Sequence, residues 1–100
     1  MDEAEILNKI YKYSSISKLS FFFEVEEYKY VCTILDGINV VIENLMIYKE
    51  NKKNLKIYKD DKETCNQIKD IMKYNEERIN QFLLQMEEAY QDHLRKEGNI

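Results

Sequence analysis

The side chains of this chain that could act together as nucleophile and base are Cys32, Cys65 and His93. A cysteine thiol becomes a strong nucleophile when a histidine lies close enough to take its proton. Nothing in the spacing brings either cysteine to His93, which falls near the end of the last predicted helix. A single histidine also leaves no second imidazole for a His-rich metal site or for acid–base chemistry. We therefore predict no enzyme activity, no metal site and no cofactor.

The two cysteines also indicate a compartment. Without a set of spaced partners they form no disulfide framework, and free thiols are typical of a reducing environment. The opening residues are acidic where a signal peptide would be basic. No stretch reaches the ~20 apolar residues that span a bilayer. We expect a cytoplasmic location, in the host cytosol if a phage encodes the chain, and no membrane partner.

Carboxylates form the first candidate binding surface. Charged residues make up 34% of the chain and its net charge is −4. A clustered negative surface could compete with nucleic acid for a basic groove on a target protein, and the alternative is ordinary solvated charge. The residues that we expect in this acidic surface are Glu24, Glu26, Glu27, Asp36, Glu43, Glu76, Glu77, Glu87 and Glu88.

A second candidate surface is basic. Lys52, Lys53 and Lys56 lie between Tyr48 and Tyr58, so lysines could contact phosphates while tyrosines stack on bases. The stretch has no arginine for bidentate contacts, and acidic residues beside it dilute its charge. We therefore favour a solvated lysine-rich hairpin tip and do not expect nucleic acid to be the partner.

The elements that would position these residues form one domain over 1–100. In residues 1–18, Ile6, Ile10 and Tyr13 follow helical spacing, and acidic residues occupy the first turn, where the helix dipole favours them. This pattern predicts an amphipathic helix that ends between residues 14 and 18.

Residues 20–59 predict an antiparallel sheet of three or four strands. They are rich in β-branched and aromatic residues and contain no Ala, Gln or Arg. Asp36-Gly37 has the sequence of a two-residue type I′ hairpin turn. That register would pair Leu35 with Ile38 on an apolar face, and a second hairpin would turn at residues 51–54. The alternative is an all-α three-helix bundle.

Residues 61–97 predict helix. Asp61 could cap its start, and we expect the helix to break at Asn75. An unbroken helix over this range would be ~54 Å long, far beyond the ~13 Å radius of gyration of a compact domain of this size. The excess length makes a homodimer plausible, while a core-facing helix is the favoured alternative. The residues of the possible dimer seam are Ile79, Phe82, Met86, Ala89 and His93.

Two short stretches are similar to parts of known helical families. Val25-Glu-Glu-Tyr28 through Asp36-Gly37-Ile38, followed by Glu76-Glu77-Arg78, resembles the three-helix domains that bind ESCRT-III tails. Met86-Glu-Glu-Ala-Tyr90 is similar to one stretch of tubulin-folding cofactor A. Both families would require residues 20–59 to be helical, and the ESCRT-type repeats need alanines that are absent from residues 5–88. We therefore assign the chain to no family.

These observations predict an α+β domain of helix, antiparallel sheet and long or kinked helix. The function that fits best is a non-catalytic protein-binding module. We expect a small acidic inhibitor or immunity-type protein, like bacteriocin immunity proteins or phage anti-CRISPR proteins in size and charge. It would occupy a basic site on a target protein, for which a nucleic-acid-handling protein is one candidate. The alternatives are a homodimerising adaptor joined through the last helix, or a weak nucleic-acid binder using the lysine-rich hairpin.

Overall fold

The computed structural model describes the backbone of residues 2–15 and 25–98, and the side chains of residues 2–15 and 32–95. The described backbone forms three helices: α1 (Glu3–Ser14), α2 (Val25–Ile57) and α3 (Lys62–Gly98). It contains no strand. The predicted α+β class is therefore wrong, and the all-α three-helix bundle given as its alternative is the observed architecture.

Helix α1 confirms the prediction for the start of the chain. The Asp2 carboxylate accepts a hydrogen bond from the backbone N–H of Glu5, which satisfies one of the donors left unpaired in a first helical turn. Ile6, Ile10 and Tyr13 are buried on one side of the helix, as their spacing predicted. The helix ends at Ser14.

Helix α2 replaces both predicted hairpins. Ile34, Val41 and Leu45 follow a helical spacing of seven and four residues, and all three are buried. The residues of the expected second turn, 51–54, lie inside the helix, where the Asn51 side chain donates to the carbonyl of Ile47. Tertiary packing of this buried stripe overrode the local preference of β-branched residues for strands.

Gly37 belongs to a helix–helix contact and not to a turn. No described glycine has a positive φ, so the type I′ turn at Asp36-Gly37 is absent. A Cβ atom on Gly37 would lie 2.6 Å from Cγ of Met86 on α3. Because Gly37 has no side chain, the two helices approach closely. The fully buried side chain of Met86 fills the space beside it.

Helix α3 is continuous through Asn75, so the predicted break there is wrong. Asp61 caps its start as predicted: its carboxylate accepts from the backbone N–H and the hydroxyl of Thr64. The turn at residues 58–61 reverses the chain, so α2 and α3 form an antiparallel helical hairpin. The hairpin also resolves the length problem, because the molecule measures 60 × 20 × 17 Å, with an elongated core between two long helices.

Helix α1 packs along one side of this hairpin and closes the core. Lys49 of α2 donates to the Glu3 carboxylate at 2.9 Å, and Lys12 lies 3.9 Å from the carboxylate of Glu87 on α3. Helix α1 therefore runs antiparallel to α2 and covers the half of the hairpin away from the 58–61 turn. The core comprises Ile6, Ile10, Tyr13, Ile34, Val41, Leu45, Ile79, Leu83, Met86 and Ala89.

Candidate protein-interaction surfaces

The residues of the expected dimer seam on α3 are buried within the chain. Ile79 and Met86 are fully buried, and Ala89 and His93 are buried with them. Phe82 is partly buried against the same core. The stripe predicted from residue spacing therefore contributes to the core of the three-helix bundle.

The expected acidic surface divides into groups. Asp36 and Glu43 are exposed on α2, and Glu77 and Glu88 are exposed on α3. Each pair lies near one line along its helix, because seven and eleven residues correspond to about two and three turns. Glu76 and Glu87 are half-buried. Glu24 lies outside the described residues, as do the side chains of Glu26 and Glu27.

Glu87 belongs to the docking site of α1. Its carboxylate lies beside the Tyr13 hydroxyl, whose hydrogen bonding lowers the pKa of Glu87, with further lowering from Gln91 and Lys12. Burial and the Glu87 charge raise the pKa of Tyr13. The Tyr13 ring also packs at 5.6 Å from the ring of Tyr90. This part of the predicted acidic surface therefore stabilises the fold.

The three lysines of the predicted basic patch line a cleft. Lys52, Lys53 and Lys56 line a space of about 220 Å³ next to the first turn of α1. Its other lining residues are Glu3, Leu45, Tyr48 and Lys49. Leu45 is buried and gives the cleft an apolar floor, while the lysines are exposed at its rim. The geometry is a groove between helices and not the tip of a hairpin.

A buried amide pair defines the orientation of α2 and α3. Nδ2 of Asn75 donates to Oδ1 of Asn44 at 3.0 Å, and Nδ2 of Asn44 donates to the carbonyl of Val40. Asn75 is 2% exposed, and its Oδ1 is buried without a hydrogen-bond partner among the described residues. These two asparagines mark the sides of the helices that face each other.

Counting residues from this pair locates the face opposite α1. At about 100° per residue, Leu45 and Lys49 lie on one side of Asn44, toward α1, and Ile47 lies on the other. On α3, the same count from Asn75 places Glu76 toward α1. This count puts the exposed Asp36 and Glu43 of α2 on the far side of the hairpin. The apolar, aromatic and arginine residues that it puts there are Val40 and Ile47 of α2 and Ile71, Tyr74, Arg78 and Phe82 of α3.

We call this set the rear face. Ile47, Ile71 and Tyr74 are 41%, 44% and 57% exposed, which leaves large apolar side chains in water. The Arg78 guanidinium lies 4.7 Å from the centre of the Phe82 ring, a cation–π arrangement. Sequence reasoning missed this surface. Its signal was the spacing of Tyr74, Arg78 and Phe82 at four-residue intervals, which places them along one side of a helix.

The described residues keep Cys65 far from His93 and form no metal-binding cluster. Cys65 donates to the carbonyl of Tyr58 beside the turn, and its separation from His93 along α3 corresponds to about 42 Å. Cys32 lies about 140° around α2 from Gly37, away from α3. Within residues 2–15 and 32–95, no three His, Cys, Asp or Glu side chains are placed to hold a metal ion.

Among the described helices, none combines the length and apolarity that a bilayer crossing requires. The chain matches no protein-family profile, no curated protein and no solved structure. The helical α2 removes one objection to the two sequence resemblances, yet neither family is matched.

Proposed function

We propose that this chain is a non-catalytic protein-binding module that uses the rear face. The observation that carries the proposal is the exposure of Ile47, Ile71 and Tyr74 around Arg78 on one side of the hairpin. Tyrosine, arginine and phenylalanine are enriched at protein interfaces, and contiguous exposed apolar residues mark interaction sites. The occupant is a different protein with an apolar patch and a carboxylate that meets Arg78.

The charge of Arg78 supports this choice of partner. Among the described residues, no carboxylate forms an ion pair with it, and its guanidinium rests on an aromatic ring. A guanidinium held in this way is pre-organised for bidentate contact with a carboxylate. The free thiols of Cys32 and Cys65 fit a reducing compartment, so we propose a cytosolic partner.

Photo-cross-linking in the native host tests the proposal. A photoreactive phenylalanine analogue replaces Tyr74, and in the control it replaces Asn66, an exposed residue that the count from Asn75 places on the side of α3 facing away from α2. We expect one discrete adduct with another protein from position 74 and none from position 66. A doubled chain from position 74 would instead support the homodimerising adaptor. Equal adducts at both positions, or none at either, would contradict the proposal.

A second candidate is the acidic inhibitor. It is favoured by the exposure of Asp36, Glu43, Glu77 and Glu88, none of which forms an ion pair among the described residues. Lysine at these four positions should abolish binding to a basic target if the acidic residues make the contact. Unchanged binding of the charge-reversed variant would reject this candidate and leave the rear face as the contact.

A further inference from the structure

The cleft between α1 and α2 continues along α2 past the start of α1. Helix α1 begins at Glu3, whose carboxylate accepts from Lys49. From Lys49, α2 extends about 12 Å farther to its end at Ile57. The cleft begins beside the buried Leu45 and Glu3 and continues along this extension, where Lys52, Lys53 and Lys56 line it. About two turns of α2 beyond Lys49 are thus left uncovered by any helix in the described part of the chain.

We infer that this lysine-rimmed groove binds an acidic amphipathic helix of a partner protein. The inference goes beyond the proposed function, since it assigns a second site on the side of the hairpin opposite the rear face. Helix α1 shows which ligand the groove accepts: a short helix with buried Ile6 and Ile10 and a first-turn carboxylate on Lys49. The partner helix would repeat this pattern farther along the same groove.

Charge complementarity indicates that the flanks of the partner helix carry glutamates. Lys49 is occupied by Glu3, but no described carboxylate forms an ion pair with Lys52, Lys53 or Lys56. Glutamates on the partner helix would complete three such pairs, while an apolar side chain enters the 220 Å³ space above Leu45. The cleft contains no arginine and has Glu3 at one end, which disfavours a nucleic-acid backbone.

Fluorescence anisotropy with a designed peptide tests the site. The probe is a labelled synthetic helix of about four turns, with leucines along one side and glutamates on both flanks. Its matched control carries glutamine at every glutamate position. We expect saturable binding of the glutamate peptide at low salt, weakening as salt rises, and about tenfold weaker binding of the glutamine peptide.

Matched variants of the protein locate the binding. We expect Lys52→Gln, Lys53→Gln and Lys56→Gln together to weaken binding about tenfold or more. The control variant carries Lys9→Gln, Lys73→Gln and Lys96→Gln, which removes the same charge from positions of α1 and α3, and should change binding less than about twofold. Equal losses in both variants would overturn the site, because they would show an effect of net charge alone.

Two other outcomes would also overturn the inference. The first is no binding of the glutamate peptide, or equal binding of the glutamate and glutamine peptides. The second is tighter binding of a labelled oligonucleotide, lost in the Lys52/Lys53/Lys56 variant, which would assign the groove to nucleic acid. The cross-link at Tyr74 reports on the rear face alone, so it distinguishes failure at the groove from failure of the proposed function.

Discussion

Gly37 of α2 lies directly against Met86 of α3. A Cβ atom at residue 37 would stand 2.6 Å from Cγ and 2.8 Å from Sδ of Met86, whose side chain is fully buried. Glycine is a poor helix former, so its place inside α2 reflects the space that Met86 requires. This contact holds the long helices close together at the level where α1 covers them.

Gly37→Ala should destabilise the protein by about 1 kcal/mol. Overpacking against Met86 is unfavourable by roughly 1–3 kcal/mol, and the higher helix propensity of alanine offsets ~1 kcal/mol of that destabilisation. In a Met86→Ala background the space is open, so Gly37→Ala should instead raise the free energy of unfolding by up to ~1 kcal/mol. Urea denaturation of all four proteins measures this change of sign. A destabilisation of equal size in both backgrounds would contradict the contact.

The Asn44–Asn75 pair should behave as one unit. Asn75→Leu removes the donor to Oδ1 of Asn44 and leaves a buried acceptor unpaired, which is unfavourable by about 1–3 kcal/mol. Replacing both asparagines with leucine removes both sets of polar groups and should destabilise much less than the sum of the single changes. A double-mutant cycle by chemical denaturation checks this. Additive effects would show that the amides do not interact.

The Tyr13–Glu87 contact should make stability depend on pH. The lowered pKa of Glu87 means that its contribution is present above its ordinary pKa of 4.5 and is lost as pH falls through the lowered value. Tyr13→Phe removes the hydroxyl, so the pKa of Glu87 should rise toward its ordinary value. NMR titration of the Glu87 carboxyl measures the shift. An unchanged pKa in Tyr13→Phe would refute the assigned cause.

The raised pKa of Tyr13 predicts a separate effect at alkaline pH. The stability that it contributes is fully present below its ordinary pKa of 10.0 and is lost as pH rises through the raised value. Raising the pH above about 10 should therefore lower the melting temperature of Tyr13→Phe less than it lowers that of the parent. Thermal melts recorded at pH 8 and pH 11 measure this fall in melting temperature. Tyr11→Phe, on the exposed side of α1, is the control, and its fall should be larger than that of Tyr13→Phe.

The Asp61 cap should also be sensitive to pH. Hydrogen bonds from Thr64 lower the pKa of Asp61, so its contribution is present above its ordinary pKa of 3.8 and is lost as pH falls through the lowered value. Asp61→Ala should melt at a lower temperature than the parent near pH 7, and the gap should narrow in acid. Asp60→Ala, one residue outside the cap, is the control. A gap that stays constant with pH would contradict the capping role.

The ends of the fold could be predicted from the sequence, and its middle could not. The acidic first turn of α1, the Asp61 cap and the stripe from Ile79 to His93 each agree with the local helix signals around them. In α2, β-branched residues and Asp36-Gly37 carry strand and turn preferences that packing against α3 overrides. The helical signal was present in Ile34, Val41 and Leu45, but a period of two fitted the neighbouring residues as well.

The candidate surfaces could likewise be predicted only in part from the sequence. The lysines were recognised as a patch because they are close in the sequence. The cleft beside them also needs Glu3 from α1, which only the tertiary fold brings near. The rear face combines Ile47 with Tyr74, and these residues become neighbours only when α2 and α3 form a hairpin. A pairing between two distant helices has no local signature in a single sequence.

The central claim is that the rear face binds a partner protein. The most direct test is the affinity of the partner cross-linked at Tyr74 for the parent and for alanine variants, by isothermal titration calorimetry. Tyr74→Ala and Arg78→Ala should each weaken binding by ~2 kcal/mol, about 30-fold. Leu84→Ala removes an exposed apolar residue of α3 outside the rear face and should change the affinity less than about twofold. Equal effects at all three positions, or no effect at Tyr74 and Arg78, would contradict the claim.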